Sequence, residues 1–301
     1  MNRNIITLLL IITTIIVILG ILIKINNKNN NVIETVADAE EIEYTETEEL
    51  NEIAEIQIYD IEEGYLTVPY NSDANKHEYN WDNLTDLDSG LYKYEDDKYY
   101  SKLGVDVSSH QGIVDWEKVR AEGIDFAILR IGYRGYGQAG KLCEDSMFEE
   151  NYNKAKEYGI EIGAYFFSQA VNIDEVKEEA EMVLEKLKGK EITYPVSFDL
   201  EKIKNDTART DNLTNEEIDN MTLEFCKIME ENGYTPCIYA NAKTFTTRMQ
   251  LDRYNKYQKW YADYQTKPLY PYEFTIWQYT ETGRIDGING GVDINLQFLS
   301  R

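Results

Sequence analysis

The stretch Tyr194-Pro-Val-Ser-Phe-Asp-Leu-Glu201 contains the most informative pattern in the sequence. Its apolar residues after the proline predict a strand over 196–200. Side chains two apart share one face of a strand, so Asp199 and Glu201 are expected to point the same way, with Cα atoms roughly 6 to 7 Å apart. Two carboxylates so placed repel each other and should hold one proton near neutral pH. A proton donor beside a carboxylate is the arrangement that glycoside hydrolysis requires.

Around this stretch, strand-like apolar runs alternate with amphipathic helical patterns. Helices are predicted over 116–122, 145–158, 174–187 and 215–232, and strands over 103–107, 126–131, 162–167 and 196–200. Asp174 or Asn172 is the candidate N-cap of the third helix, and Thr214 with Glu217 forms a capping-box pattern for the fourth. A β-α-β-α order implies a parallel sheet with right-handed crossovers.

After Pro236 the pattern changes, because strand candidates follow one another with little helix between them. They cover 237–239, 260–262, 274–279 and 292–295. The second half of the domain is therefore predicted to be poor in helix. In a barrel of this kind, chemistry is expected at the C-terminal ends of the strands.

The N-terminal segment predicts a membrane anchor. Residues 5–23 carry no charge and are rich in Ile and Leu, which is about the length that crosses a bilayer core as a helix. A cleaved signal peptide is the alternative, because Arg3 supplies a short positive region. The apolar run is long for that role, and the Ala37-Asp-Ala39 candidate cleavage site lies well downstream of it. The flanking charges do not fix the orientation.

The region between the anchor and the barrel reads as an acidic spacer. The whole chain has a net charge of −25, and most of it comes from residues 31–100, whose only lysines or arginines are Lys76, Lys93 and Lys98. Self-repulsion and few large apolar residues favour an extended chain. We therefore predict a transmembrane anchor at 1–25, a largely extended stalk at 26–101 and a catalytic domain at 102–301. Residues 79–102 are richer in Tyr and Trp and are a candidate hairpin or lid on the barrel.

Composition also argues against several classes of function. No cluster of lysine and arginine with interleaved aromatics is present, which argues against a nucleic-acid partner. The chain has two histidines, His77 in the predicted stalk and His110, so a histidine-rich zinc site is not expected. We expect no metal and no cofactor.

Six motifs in order carry a resemblance to a known family. They are Leu103-Gly-Val-Asp-Val-Ser-Ser-His-Gln-Gly112 with Asp115-Trp116, Arg130-Ile-Gly-Tyr-Arg-Gly135, Gly163-Ala-Tyr-Phe-Phe-Ser-Gln169, Phe198-Asp-Leu-Glu201, Trp277-Gln-Tyr279 and Val292-Asp-Ile-Asn295. From residue 103 to residue 299 the sequence resembles glycoside hydrolase family 25, the N-acetylmuramidase lysozymes. The resemblance implies an α/β fold, an incomplete TIM-like barrel of five β/α units followed by three strands.

The resemblance also assigns roles to four carboxylates. Glu201 matches the family's general acid, and Asp199 matches the partner that steers the substrate's N-acetyl group or stabilises positive charge. Asp106 and Asp293 match two further carboxylates at the floor of the cleft. From the residues alone, a turn or cap role for Asp106 and a terminal loop for Asp293 remain open.

Aromatic and polar residues near the strand ends are candidate substrate-binding groups. Each aromatic is as readily a core residue, because strand aromatics usually pack. His110 is either a substrate ligand or a hydrogen-bonding group of its loop, and Arg130 is a candidate clamp for a floor carboxylate. Phe166 departs from the family pattern, in which many relatives carry His, so a substrate hydrogen bond made there by relatives is not expected here. The aromatic candidates are Tyr165, Phe167, Tyr239, Trp277 and Tyr279.

The function implied is a membrane-anchored peptidoglycan hydrolase with its catalytic domain outside the cell membrane. It would cut the β-1,4 bond between N-acetylmuramic acid and N-acetylglucosamine by carboxylate acid catalysis with N-acetyl assistance. The expected partners are glycan strands and, through 5–23, the membrane. A catalytically silent wall-binding tether and a chitin-directed enzyme are the alternatives. A tether needs aromatics but no proton donor, so the four matched carboxylates favour an enzyme.

Overall fold

A closed barrel of parallel and antiparallel strands forms the centre of the molecule in the computed structural model, which describes residues 55–87, 90–204 and 206–301. The barrel strands are β5 (Tyr99–Val107), β6 (Phe126–Arg134), β8 (Glu161–Phe167), β9 (Val196–Asp199), β10 (Pro236–Asn241), β11 (Gln258–Ala262), β12 (Ile276–Gly283) and β13 (Val292–Ser300). They follow the order β5-β13-β12-β11-β10-β9-β8-β6, and β6 pairs back to β5. Neighbouring strands from β5 through β6 to β12 are parallel, whereas β13 runs antiparallel to both β12 and β5.

Four helices cover the outside of the first half of the barrel, as the sequence predicts. They are α1 (Trp116–Ala121), α2 (Phe148–Glu157), α3 (Ile173–Leu187) and α4 (Asn215–Glu231). Asn172 rather than Asp174 caps α3, since its side chain accepts a hydrogen bond from Glu175 N. Thr214 and Glu217 form the predicted capping box of α4. These caps satisfy backbone donors that the helix itself leaves free.

The second half of the barrel is poor in helix, also as predicted. After β10 the chain forms only a π-helical turn (Thr244–Arg248) and a 3-10 turn (Leu251–Tyr254) before β11. The expected fifth β/α unit therefore has short turns in place of a full helix. A further short strand, β7 (Leu142–Glu144), pairs with the outer edge of β6, and a 3-10 turn (Ser109–Gln111) follows β5.

Residues 55–78 correct the predicted stalk, because they form part of the folded domain, whereas residues 79–101 contain a hairpin, as was expected for the candidate hairpin or lid. Together they contain a hairpin of β1 (Glu55–Asp60) and β2 (Gly64–Pro69), a 3-10 turn (Trp81–Asn83), and a hairpin of β3 (Leu84–Asp86) and β4 (Tyr92–Tyr94). Ile58 is fully buried and Val68 is 4% exposed. The alternation of apolar and polar residues in β1 was the available signal, since it is typical of a half-buried strand.

The segment around β3 and β4 covers the part of the barrel that no helix covers. Tyr79 stacks on Phe298 with ring centroids 4.1 Å apart, and Trp81 lies 5.6 Å from Trp277. Tyr92 stacks on Trp277 with ring centroids 6.0 Å apart. These aromatics keep water from the outer face of β12 and β13, as helices do elsewhere.

The membrane prediction lies outside this description. The anchor at 5–23, its signal-peptide alternative and the stalk up to residue 54 all fall beyond the described residues. Within the described ranges, no helix is long and apolar enough to span a bilayer.

Candidate active site

A cleft of about 340 Å³ opens at the end of the barrel where the parallel strands finish. This is the end at which β/α barrels carry their chemistry. It brings together all four predicted carboxylates. Its lining includes Asp106, Arg130, Tyr165, Phe167, Asp199, Glu201, Tyr239, Trp260, Tyr264, Gln278, Glu281 and Asp293.

Asp199 and Glu201 lie where β9 ends. The strand stops at Asp199, one residue short of the prediction, and Glu201 follows in the loop. The backbone here is fixed by the end of β8: Ser168 N donates to Asp199 O at 2.7 Å, and Gln169 Nε2 donates to Glu201 O at 2.8 Å. The two carboxyl groups are thus held in place through their main chain.

Burial sets the proton affinity of this pair. It raises the pKa of Glu201 to about 7, with the charge of Lys204 opposing and those of Asp106, Glu62 and Glu281 adding to the rise. Burial also raises the pKa of Asp199 well above its usual range, followed by repulsion from Glu201. Asp199 Oδ1 is buried and accepts no hydrogen bond from the described residues. An unmet buried acceptor is costly, which is typical of a group reserved for a ligand.

Asp106 and Asp293 face each other across the antiparallel pairing of β5 and β13. Asp106 Oδ2 accepts hydrogen bonds from Asn295 Nδ2 at 2.8 Å and from Gln278 Nε2 at 3.0 Å. Burial raises the pKa of Asp106, and these amide donors oppose the rise. Burial and the neighbouring charge of Asp106 raise the pKa of Asp293 to about 9. Asp293 therefore keeps its proton at neutral pH, and Asp106 is the better-stabilised anion.

Three predicted aromatics line the cleft and two do not. Tyr165 and Phe167 are half-buried there, and Tyr239 donates from its hydroxyl to Gln278 Oε1 at 2.9 Å. Trp277 and Tyr279 were predicted on the wrong face of β12. Both lie on the outside of the barrel, where they pack on Tyr92 of β4, because side chains alternate along a strand.

Arg130 and His110 also differ from expectation. Arg130 lines the cleft, yet its Nε donates to Asp145 Oδ2 at 2.8 Å and its guanidinium also donates to Ser109 Oγ at 3.1 Å. It clamps Asp145 rather than a floor carboxylate, although its charge opposes the rise in the pKa of Asp199. His110 is exposed in the 3-10 turn and lines a neighbouring cavity with Arg130 and Phe167, outside the carboxylate cleft.

Several site residues were missed by the sequence analysis. Trp260 lines the cleft and donates from Nε1 to Asn295 Oδ1 at 2.7 Å, and Tyr264 donates to Gln278 Oε1 at 3.0 Å. Gln278 stands between the two aromatics that were predicted instead, so placing the other face of β12 inward would have found it. The sequence contains no signal for Tyr264, because it lies in a loop after β11, where no strand or helix period indicates which side chains face the cleft. In the part of the chain that is described, no three His, Cys, Asp or Glu side chains are grouped so as to hold a metal ion.

Comparison with known proteins gives the class of this fold and site. The profile described as "Glycosyl hydrolases family 25" matches residues 105–288. The chain belongs to this family and is a glycoside hydrolase of the lysozyme type. The matched region contains three of the four carboxylates, and Asp293 lies five residues beyond the end of that region.

The similar proteins include an uncharacterized protein and two lysozymes. The chain is 29% identical over 206 residues to the uncharacterized protein YegX of Escherichia coli strain K12, a span of 65% of this chain and 70% of YegX. It is 28% identical over 204 residues to Lysozyme M1 of Streptomyces globisporus, covering 64% of this chain and 66% of that one. The bacterial lysozyme structure from Streptomyces coelicolor has a TM-score of 0.53 at 25% identity, covering 64% of this chain and 90% of its own.

Proposed function

We propose that this chain hydrolyses the β-1,4 bond between N-acetylmuramic acid and N-acetylglucosamine in peptidoglycan. The observation that carries the proposal is the pKa of Glu201, about 7, in a cleft lined by four further carboxyl groups. A general acid works best when its pKa lies near the working pH. Membership of a lysozyme family supports the substrate class.

In the proposed reaction, protonated Glu201 donates its proton to the glycosidic oxygen as that oxygen leaves. Asp199 Oδ1 accepts the N–H of the substrate's acetamido group and turns the acetamido oxygen toward the anomeric carbon. A hydrogen bond of this kind stabilises the ionised form of Asp199 and lowers its pKa on binding. The ionised carboxylate then stabilises the positive charge that develops as the acetamido oxygen bonds to the anomeric carbon and the glycosidic bond breaks. Water next attacks the anomeric carbon, displaces the acetamido oxygen and gives a proton to Glu201, which restores the protonated acid.

Asp106 and Asp293 act at a distance from the reacting bond in this proposal. Ionised Asp106 keeps the pKa of Glu201 high through charge repulsion, and protonated Asp293 supports Asp106 by a hydrogen bond. Tyr165 and Phe167 supply flat apolar surface for sugar rings.

We further propose that residues 5–23 anchor the enzyme in the cell membrane with the barrel outside, where peptidoglycan is. The uncharged apolar run supports this part. Full-length protein should then stay with membranes after high-salt and carbonate washing. Recovery of a soluble form that begins near residues 24–40 would contradict the anchor.

The test of the reaction is digestion of purified peptidoglycan, borohydride reduction and sugar analysis. The proposal predicts muramicitol from the wild-type protein and none from Glu201→Gln. Glucosaminitol would indicate a glucosaminidase instead. No new reducing ends would favour the silent tether.

A further inference from the structure

The tip of the β1–β2 hairpin, residues 60–64, reaches the catalytic cleft. Ile61 lines the same cleft as Asp199 and Glu201. It is partly buried, so part of its side chain is exposed to the cleft. The hairpin lies outside the residues that match the family profile, 105–288. The cleft of this chain is therefore completed by a segment that the family profile does not include.

The tip is a built turn. Asp60 is 1% exposed, and its Oδ1 accepts hydrogen bonds from Glu62 N at 3.0 Å and Glu63 N at 2.9 Å. Gly64 closes the turn at φ +79°, a conformation that favours glycine. Buried Ile58 fixes the strand that leads into the turn. This geometry holds Ile61 in one position.

Two ion pairs join the tip to the loops of the catalytic end. Glu62 lies 3.6 Å from Lys204, in the loop after β9, and Glu63 contacts Lys243, just after β10. Lys204 itself lines the cleft. Exposed pairs of this kind contribute little energy one at a time, but two adjacent pairs restrict where the tip lies. On the side of β11, Gln265 Nε2 donates to the Tyr65 hydroxyl at 3.3 Å.

We propose that Ile61 is a substrate-contacting residue, forming an apolar wall for the C–H face and acetyl methyl of an N-acetylated sugar. This inference rests on the proposed function. The lining of the cleft is otherwise dominated by carboxylates, cations and aromatic rings, and Ile203 is the other aliphatic residue among them. A pyranose ring presents both hydroxyl groups and apolar C–H surface, so an aliphatic wall beside hydrogen-bonding groups fits its two kinds of surface.

The test measures binding of a tetrasaccharide of alternating N-acetylglucosamine and N-acetylmuramic acid, with every variant made in the full chain and in the Glu201→Gln background. Ile61→Ala should raise the Kd about fivefold, because it removes apolar contact area. Ile61→Leu should restore most of the affinity. Gln57→Ala, an exposed change in the middle of β1, is the matched control and should leave the Kd unchanged.

Kinetics in the otherwise wild-type chain distinguish the loss of a substrate contact from a disturbed fold. Ile61→Ala should raise KM and leave kcat unchanged, as expected for binding that is equal in ground and transition states. The melting temperature should stay the same. If Ile61→Ala binds and cleaves like the parent protein, the inference is wrong while the proposed function stands. If Ile61→Ala weakens binding as expected but the wild-type chain releases no reducing ends, the proposed reaction is wrong and the inference about Ile61 still holds. No binding by the parent would overturn both.

Discussion

The two carboxylate pairs of the cleft differ in what their side chains already contact. Asp106 takes two amide hydrogen bonds and faces Asp293 across the β5–β13 pairing. Asp199 and Glu201 are instead held through their backbone, and Asp199 Oδ1 accepts nothing from the described residues. In the first pair, Asp106 already accepts hydrogen bonds from within the protein. The second pair has capacity left for a substrate.

This difference separates two kinds of contribution to catalysis. A carboxyl group that must donate a proton or accept a substrate N–H cannot be occupied by the protein. A carboxylate that acts only through its charge can accept hydrogen bonds from the protein, because charge acts across several ångströms in a poorly solvated site. The comparison therefore predicts large effects from the pair on the β9 end and small effects from the pair on the β5–β13 pairing.

The largest effect should come from Glu201→Gln. Glutamine keeps the size and the hydrogen bonding but has no acidic proton, so kcat should fall at least about a hundredfold with little change in KM. Glu281→Gln is the matched control, since Glu281 also lines the cleft and lies outside the proposed proton path. Glu281→Gln should have a much smaller effect, confined to the pKa of Glu201 that its charge helps to raise. Equal losses in both variants, measured as release of reducing ends, would mean that Glu201 has no special role as the proton donor.

Asp199→Asn should have the next largest effect. The substitution keeps an oxygen that can accept the acetamido N–H but removes the negative charge, so kcat should fall at least about tenfold. Glycan binding measured by sedimentation with insoluble peptidoglycan should persist. If the variant cleaves normally, Asp199 makes only a small contribution, as Asp106 and Asp293 are expected to do.

The sequence was sufficient for the parts of the site that rest on motifs and periodicity. The sequence predicted the four carboxylates through the motifs of the family resemblance, and it predicted the four helices and the helix-poor second half through strand and helix periods, which depend on local spacing. It did not give the inward face of β12, where Gln278 rather than Trp277 enters the cleft. The period of two fixes which residues share a face, yet not which face is inside.

The N-terminal region was harder to predict for a different reason. Acidic composition favoured a stalk over 26–101, and only the Tyr and Trp content of 79–102 indicated a candidate hairpin or lid. The contacts of Trp81 and Tyr79 are with Trp277 and Phe298, about two hundred residues later. Contacts of that separation leave no local signal for the partner residues. The same holds for Ile61, whose role at the cleft depends on where β9 and β10 end.

A pH profile sharpens the comparison further. In the double variant Asp106→Asn, Asp293→Asn, the negative charge of the pair is removed, so the pKa of Glu201 should fall below about 7. Glu201 is active when protonated, so the alkaline limb of the kcat/KM profile should move to lower pH. Asp106→Asn alone should shift it less, because Asp293 is then free to ionise in place of Asp106. An unmoved limb in the double variant would mean that this pair does not act on Glu201 through charge.

The smallest effect should come from Asp293→Asn alone. With a pKa of about 9, Asp293 is neutral at pH 7, so asparagine preserves both the charge state and a hydrogen-bond donor toward Asp106. We expect activity at pH 7 within about threefold of the wild-type value, since only donor geometry changes. The alkaline limb set by Glu201 should stay in place, in contrast to the double variant. If Asp293→Asn instead shifts that limb as far as the double variant does, Asp293 is the ionised member of the pair, and the roles assigned to Asp106 and Asp293 are reversed.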